Sequence, residues 1–392
     1  MIFDIKKLVE DREYAKENNL KVKKDEKTGL FIIKYDKRYL TKDNISTLGY
    51  FRSVITDGVV IKSMAPTKSI DFDKFKEENK VEDCIVEEFV EGTMINCFYT
   101  ENGWEIATRS VIGANCSFMQ TKSFREMFFE AFEEMKLTWE LFNPKYSYSF
   151  VLQHPDNRIV INFTEKNLVL VAVQHQTFLE KVLPKALVEQ KGGSGDLPPE
   201  GDFVLRVDIL SEEFQDLRNK IKIPERYPYG ENWNKIYNLY SECNYNILGC
   251  IIKNKMGERS KIRNKNYEEV RRLRGNSTKL QYQYYNLRKL KKINEFLKYF
   301  PEYDAEFLKM QKEIHSWTQE LFDNYRNCFI HKKKKLKDYP FQFRIQMYNL
   351  HQLYLSRLRD NGLYINKDIV KGHINRLDPA ALMYLINFKN KI

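Results

Sequence analysis

Residues 87–95 read Glu87-Glu88-Phe89-Val90-Glu91-Gly92-Thr93-Met94-Ile95, and the fold is read outward from this stretch. It leads into Met94 to Tyr99, which reads as a strand, as do Phe31 to Tyr35, Gly58 to Lys62 and Leu168 to Val173. Up to about residue 265 the pattern is one of short β-rich segments joined by polar turns. One helix is expected over Ser123 to Met135, where Phe124, Met127, Phe128, Ala131 and Phe132 recur at helical spacing and read as a core-facing stripe. Gly192-Gly193-Ser194-Gly195, followed by Asp196-Leu197-Pro198-Pro199, reads as a flexible surface loop and has the composition of an inserted linker.

From about Tyr267 onward glycine becomes scarce and the periodicity is helical. Glu268 to Leu273 is expected to continue into a helix over Leu280 to Tyr299. Longer amphipathic helices follow over Asp304 to Tyr325 and Pro340 to Arg359. Shorter ones are expected over Asp368 to Leu377 and Pro379 to Phe388, with Asp378 as the cap and Pro379 in the first turn.

The chain has 392 residues, enough for two domains, and a formal net charge of +11 that favours polyanionic partners. Aromatic residues make up 14%, which supplies rings for stacking on bases as well as for an ordinary core. The six cysteines show no Cys-x-x-Cys pairing and read as reduced thiols, and the scattered histidines give no zinc-site spacing. No signal peptide and no apolar run of membrane-spanning length is present, so no membrane partner is expected.

A series of motifs brackets the opening stretch. Upstream lie Arg52-Ser53-Val54-Ile55 and Ala65-Pro66-Thr67-Lys68. Downstream come Trp104 to Ser110, then Phe150-Val151-Leu152-Gln153-His154-Pro155-Asp156-Asn157-Arg158-Ile159-Val160. Leu248-Gly249-Cys250-Ile251-Ile252-Lys253 follows, and Ser260-Lys261-Ile262-Arg263 with Tyr267 closes the series. In this order the set resembles the covalent nucleotidyltransferase superfamily, in particular the RNA ligases of the T4 RNA ligase 1-like type. Residues 89–95 stand where the family has Lys-x-Asp-Gly, Ser or Thr, and two apolar residues.

The resemblance implies an α+β fold: a ligase adenylation-type nucleotidyltransferase domain with antiparallel sheets over residues 1–265, followed by an all-α domain over 266–392. In the family a lysine forms a covalent nucleotide adduct, one glutamate reads the ribose and a second helps hold metal. Those positions are Phe89, Val151 and Leu248 here. A phenyl ring cannot attack a phosphate, and phosphoryl transfer depends on positioning and charge compensation by metal. Catalytic and metal-ligating residues are therefore absent from the expected set.

The cationic part of the pattern survives. Arg52, Lys68, Arg109, Lys261 and Arg263, with Phe89 and Glu91, form the expected nucleotide- or RNA-binding set. Its ligand would be ATP, GTP, a cap or an RNA end. Two other readings stay open. One is an active ligase or capping-type enzyme with a displaced lysine, for which Lys62 and Lys68 are candidates. The other is a protein-interaction scaffold centred on the helical half. The run Glu87 to Asn96 is also similar to giant-virus members of the superfamily that lack the nucleophilic lysine, which implies the cytoplasm of a host as its setting.

The junction of the halves is strongly basic. Arg271, Arg272 and Arg274 precede Gly275, and Lys279, Arg288 and Lys289 follow among Tyr282, Tyr284 and Tyr285. Interleaved cations and tyrosines suit phosphate contact plus base stacking, so RNA is the expected partner. The same spacing also reads as a solvated helix face with its tyrosines turned inward. His331 to Lys335 reads as a solvated loop between helices; the alternatives are a tract that adds non-specific RNA affinity or one that resembles a nuclear-localisation signal.

Overall fold

The computed structural model describes residues 4–118, 122–178, 206–227, 232–254 and 258–388. The Gly192–Pro199 loop read from the sequence lies outside them. The chain divides into two compact units, Met1–Glu269 and Val270–Ile392.

The first unit is built on β-strands. In chain order they are β1 (Leu20–Lys24), β2 (Phe31–Tyr35), β3 (Val54–Thr56), β4 (Val60–Met64) and β5 (Cys84–Glu88). Next come β6 (Thr93–Thr100), β7 (Gly103–Thr108), β8 (Tyr146–Gln153) and β9 (Asn167–His175). Then follow β10 (Thr177–Phe178), β11 (Arg206–Val207), β12 (Gly249–Asn254) and β13 (Arg259–Arg263). They form sheets of order β1-β2-β3-β4-β10, β11-β9-β8-β6-β7 and β13-β12-β5. Every pair within these sheets is antiparallel.

The second sheet carries the largest core. All of β8 is buried, and its inner face meets the helix Phe124–Glu134. That helix begins at a capping box: Ser123 Oγ accepts from the Glu126 amide while Glu126 reaches back to the Ser123 amide. Its aromatic stripe belongs to the core, where Phe128 and Phe132 pack with Trp139, Phe142 and Phe150.

The third sheet obeys the two-residue period of a strand. Cys84 and Val86, Cys250 and Ile252, and Ile262 point into a core with Phe75 and Ile236. The register pairs Ile251 with both Lys261 and Glu87, and Gly249 with Arg263, so Arg259, Lys261 and Arg263 share the opposite face.

The second unit is helical. Asp304–Tyr325 forms one helix with the bounds read from its periodicity, and Asp378 caps Pro379–Ile386 by accepting from the Ala380 amide. Two expectations need correction. The helix expected over Leu280 to Tyr299 is two, Leu280–Lys289 and Ile293–Tyr299, because Lys291 takes φ +58°. The helix expected over Pro340 to Arg359 is α-helical only over Phe341–Leu353 and passes into a π-turn at Tyr354–Leu358. All six cysteines are free thiols. Among the described residues no helix is long and apolar enough to cross a membrane.

Candidate nucleotide-binding site

Phe89 follows directly on β5, and its amide donates to the Gly249 carbonyl at 3.4 Å. This continues the β5–β12 pairing and puts the ring beside the basic face of β13. Lys261 Nζ lies 5.9 Å from the ring centre, and the Arg263 guanidinium carbon 5.5 Å from it. Both are within cation–π range. The ring of Phe89 thus forms an apolar floor under two cations.

Three more arginines are fixed by main-chain carbonyls. Arg52 Nη1 donates to the Pro66 carbonyl at 3.3 Å, and Arg109 Nε to the Arg52 carbonyl at 3.2 Å. Arg259 donates through Nε to the Thr67 carbonyl at 2.7 Å and through Nη2 to that of Pro66 at 3.2 Å. The Arg109 guanidinium also lies 5.0 Å above the Tyr35 ring. Carbonyl oxygens orient these guanidinium groups without neutralising them.

The consequence is a field of like charge. Burial pushes the Lys261 ammonium down to about 7, helped by Lys68, Arg263, Arg52 and Arg259. Lys68 is lowered by burial and then by Arg52, Arg263, Arg259 and Arg109. Burial likewise lowers Arg52, and Lys34 is lowered by burial and then by Arg109. Arg263 is paired with Glu268. Among the described residues, Arg52, Lys68, Arg109 and Lys261 make no ion pair. Partly buried cations crowded together, four of them without an ion pair among the described residues, disfavour the free state and favour an incoming polyanion.

This arrangement gives Lys261 a signature in pH-dependent stability. Its folded pKa is about 7 against 10.5 for the ordinary group, so between these values the unfolded chain binds more protons. The contribution is fully present above the unfolded value and lost as pH falls towards 7. Lys261→Met should therefore raise the thermal midpoint most near neutral pH, with the gain shrinking as pH rises towards the ordinary lysine range. Melting curves of both proteins across that range give the result. A constant difference would contradict the buried, crowded state of Lys261.

The structure gathers Arg52, Lys68, Phe89, Arg109, Lys261 and Arg263. It adds Arg259 and Lys34, which the sequence reading missed. Arg259 stood two residues before Lys261 on a strand, so the alternation alone could have found it. Lys34 donates to Ser110 Oγ at 2.8 Å across 76 residues of sequence, and no local signal marks it.

Glu91 has a different place. It is buried, and its Oε1 accepts from the amides of Val160 at 3.1 Å and Ile161 at 3.0 Å, fastening the chain that follows β8. Val151 packs with Val90 and Val169, and Leu248 is buried as well. Both positions have become apolar packing. The residues present do not fit a protein-held metal there, and among the described residues no group of three or more His, Cys, Asp or Glu side chains is arranged to hold one. Lys62, a candidate for a displaced nucleophile, is paired with Asp57 at 3.0 Å.

At the junction, two of the three tyrosines follow the second of the two readings and turn inward. Tyr284 and Tyr285 are buried, the first packed on Phe307 with ring centres 4.9 Å apart and the second accepting from Gln281 Nε2 at 2.9 Å. Adjacent positions on the helix Leu280–Lys289 both face its core, so these rings are not free to stack on bases. Arg272, Lys279 and Lys289 are exposed, while Arg271, Arg274 and Arg288 are half-buried.

Comparison with known proteins adds sequence kinship over a limited span. No protein-family model matches the chain. Over 97 residues it is 35% identical to an RNA ligase of Rhodothermus phage RM378, a segment covering 22% of each protein. The similarity is to an RNA ligase. Among solved structures, Naegleria gruberi RNA ligase with pyrophosphate is 10% identical, with a TM-score of 0.34 over 53% of this chain and 59% of that one. A mutant of the same enzyme with AMP and manganese is 11% identical, with a TM-score of 0.36 over 54% and 59%. The chain thus spans about a fifth of the phage relative and less than two thirds of either structure.

Proposed function

We propose that this is an RNA ligase-like protein in which the covalent nucleotide step has been lost and phosphate binding retained. Its ligand is a nucleotide or the phosphorylated or capped end of an RNA, held on the cations around Phe89. The observation that carries this reading is the mutual crowding of Arg52, Lys68, Arg109 and Lys261, with Lys261 over the Phe89 ring and none of the four in an ion pair among the described residues. Arginines fixed by carbonyls present ready donors to phosphate oxygens, and a partly buried lysine gains a counter-charge on binding. Val151 and Leu248 remove the carboxylates that ribose reading and metal binding require in the ligases. The free thiols fit a reducing compartment, the cytoplasm, as the place of action.

The test is intact mass after incubation with ATP or GTP and magnesium or manganese, beside titration of the same preparation with nucleotide and 5′-phosphorylated RNA. Binding without a mass increase is the expected result. Phe89→Lys should also fail to ligate, because Val151 and Leu248 remain apolar. Efficient ligation by that single variant would overturn the weight given to those positions.

One observation favours a second reading, an active enzyme with a displaced nucleophile. Lys261 lies over the ring at the lost position, and its ammonium is pushed down to about 7. A neutral Nζ could attack the α-phosphorus of ATP, forming a nitrogen–phosphorus bond as the bond to the β-phosphate oxygen breaks and pyrophosphate leaves. A mass increase by one nucleotide, mapped to Lys261 and absent from Lys261→Arg, would establish this reading in place of the first.

A further inference from the structure

The helical unit holds a second concentration of positive charge, independent of the pocket around Phe89. A cleft of about 720 Å³ is lined by Lys332 to Lys335, Lys337 and Phe329, with Cys328, Leu336 and Asp338 completing it. It is wide open to solvent, and all five lysines are exposed. Five ammonium groups therefore share one concave surface with a single carboxylate. Asp338 also has a structural task, since its Oδ2 accepts from the Lys335 amide at 3.2 Å. None of the five lysines makes an ion pair among the described residues.

The loop is held in shape. The helix Asp304–Tyr325 passes into a π-turn at Arg326–Ile330. The His331 amide then donates to the Arg326 carbonyl at 2.8 Å, and the Lys333 amide to that of Asn327 at 2.8 Å. Between them Lys332 takes φ +52°, a left-handed conformation that costs a lysine free energy. This is the ordinary left-handed close of a helix C-terminus, and it turns the lysines that follow back towards the helix end.

An aromatic column stands at the edge of this cleft. Phe329, in the π-turn, stacks on His351 with ring centres 3.9 Å apart and an interplanar angle of 12°. Tyr354 continues the column at 6.0 Å and 24°, and it opens the second π-turn, Tyr354–Leu358. Burial lowers the His351 pKa, so the ring is neutral at neutral pH, and its Nδ1 has no hydrogen-bond partner among the described residues. Phe329 also packs on Tyr325, with ring centres 5.1 Å apart at 39°, so two neighbours hold the ring while the half-buried residue still lines the cleft.

We propose that this cleft binds single-stranded nucleic acid, with phosphates on the Lys332–Lys337 loop and a base against the Phe329–His351 stack. Lysines supply the sequence-independent phosphate term, and a preformed ring pair supplies a platform that any base can use. An acidic polypeptide would use the lysines but not the ring, which separates the two in an experiment.

The probe is a fluorescein-labelled oligouridylate of about ten nucleotides, within the usual span of single-strand sites, with poly-aspartate as the comparison polyanion. Binding is followed by fluorescence anisotropy over a salt series, in the wild-type sequence and in a Lys68→Ala/Lys261→Ala background that removes the other pocket. Lys332→Ala, Lys333→Ala, Lys334→Ala and Lys335→Ala combined should weaken oligouridylate binding more than tenfold. They should also make the slope of log affinity against log salt shallower by about 2–3, the value for four phosphate contacts on a single strand. Phe329→Leu should weaken oligouridylate about tenfold and leave poly-aspartate unchanged. These lysines are exposed, so their removal tests the charge without disturbing packing. An unchanged slope in the fourfold variant overturns the site. Parallel loss of both polyanions with no effect of Phe329→Leu makes it an acidic-peptide surface and overturns the nucleic-acid assignment.

Discussion

Lys68→Ala combined with Lys261→Ala should lower affinity for ATP, 5′-phosphorylated RNA and inorganic tripolyphosphate by about a hundredfold or more. Each lost hydrogen bond to a charged group is worth about 1.5–3 kcal/mol. The same double variant should melt at a higher temperature than the parent in the absence of ligand, because both ammonium groups are half-buried in a field of arginines. Opposite signs for binding and stability are the mark of a site kept at a cost to the fold. Calorimetric titration and thermal melts of one preparation give both. Unchanged affinity would remove the pocket around Phe89 from consideration, and a lower melting temperature would mean that these lysines stabilise the unit through contacts other than charge.

Gly249→Ala is expected to be the most damaging single-methyl change in the first unit. Gly249 holds φ +130°, and a Cβ there would lie 2.0 Å from the Ile262 carbonyl oxygen across the β12–β13 pair. Backbone strain and the clash together should cost about 3 kcal/mol or more in urea unfolding. Gly103 serves as the control. It holds φ +102° with nothing near its would-be Cβ, so Gly103→Ala should cost only the strain, about 1 kcal/mol. If the two variants proved equally stable, the close approach of β12 and β13 would be wrong. Because Gly249 faces Arg263 in the register and its carbonyl receives the Phe89 amide, the variant should lose phosphate binding as well.

The glycine at 249 also explains what was legible in the sequence. The motif Leu248-Gly249-Cys250-Ile251-Ile252 could be recognised because a strand pair in contact tolerates no side chain at that point, while the residues after it alternate into a core. Arg52, Lys68, Arg109 and Lys261 were visible through the order of motifs. Their lack of ion-pair partners was not, since it depends on which acids lie nearby in space. Glu91 looked like part of the pocket, yet its carboxylate serves two main-chain amides. In the helical unit, Asp304–Tyr325 was legible because 22 residues of one period outweigh local noise. The break after Lys289 was not, because neither glycine nor proline marks the left-handed Lys291. Tyr284 and Tyr285 were left between two readings, because interleaving along the chain does not say which side of a helix a residue faces.

Arg52, Lys68, Arg109 and Lys261, which make no ion pair among the described residues, carry a practical consequence for anyone handling the protein. A site that binds anions in the folded state alone raises apparent stability by RT ln(1 + [L]/Kd), so the choice of buffer becomes part of the sample. Phosphate, pyrophosphate or sulfate should each move the melting temperature, and chloride at equal ionic strength should not. Material taken from cells would arrive with its site already filled by whichever phosphate ester was abundant. An absorbance excess at 260 nm that disappears after washing in high salt would report the occupant before any ligand had been added.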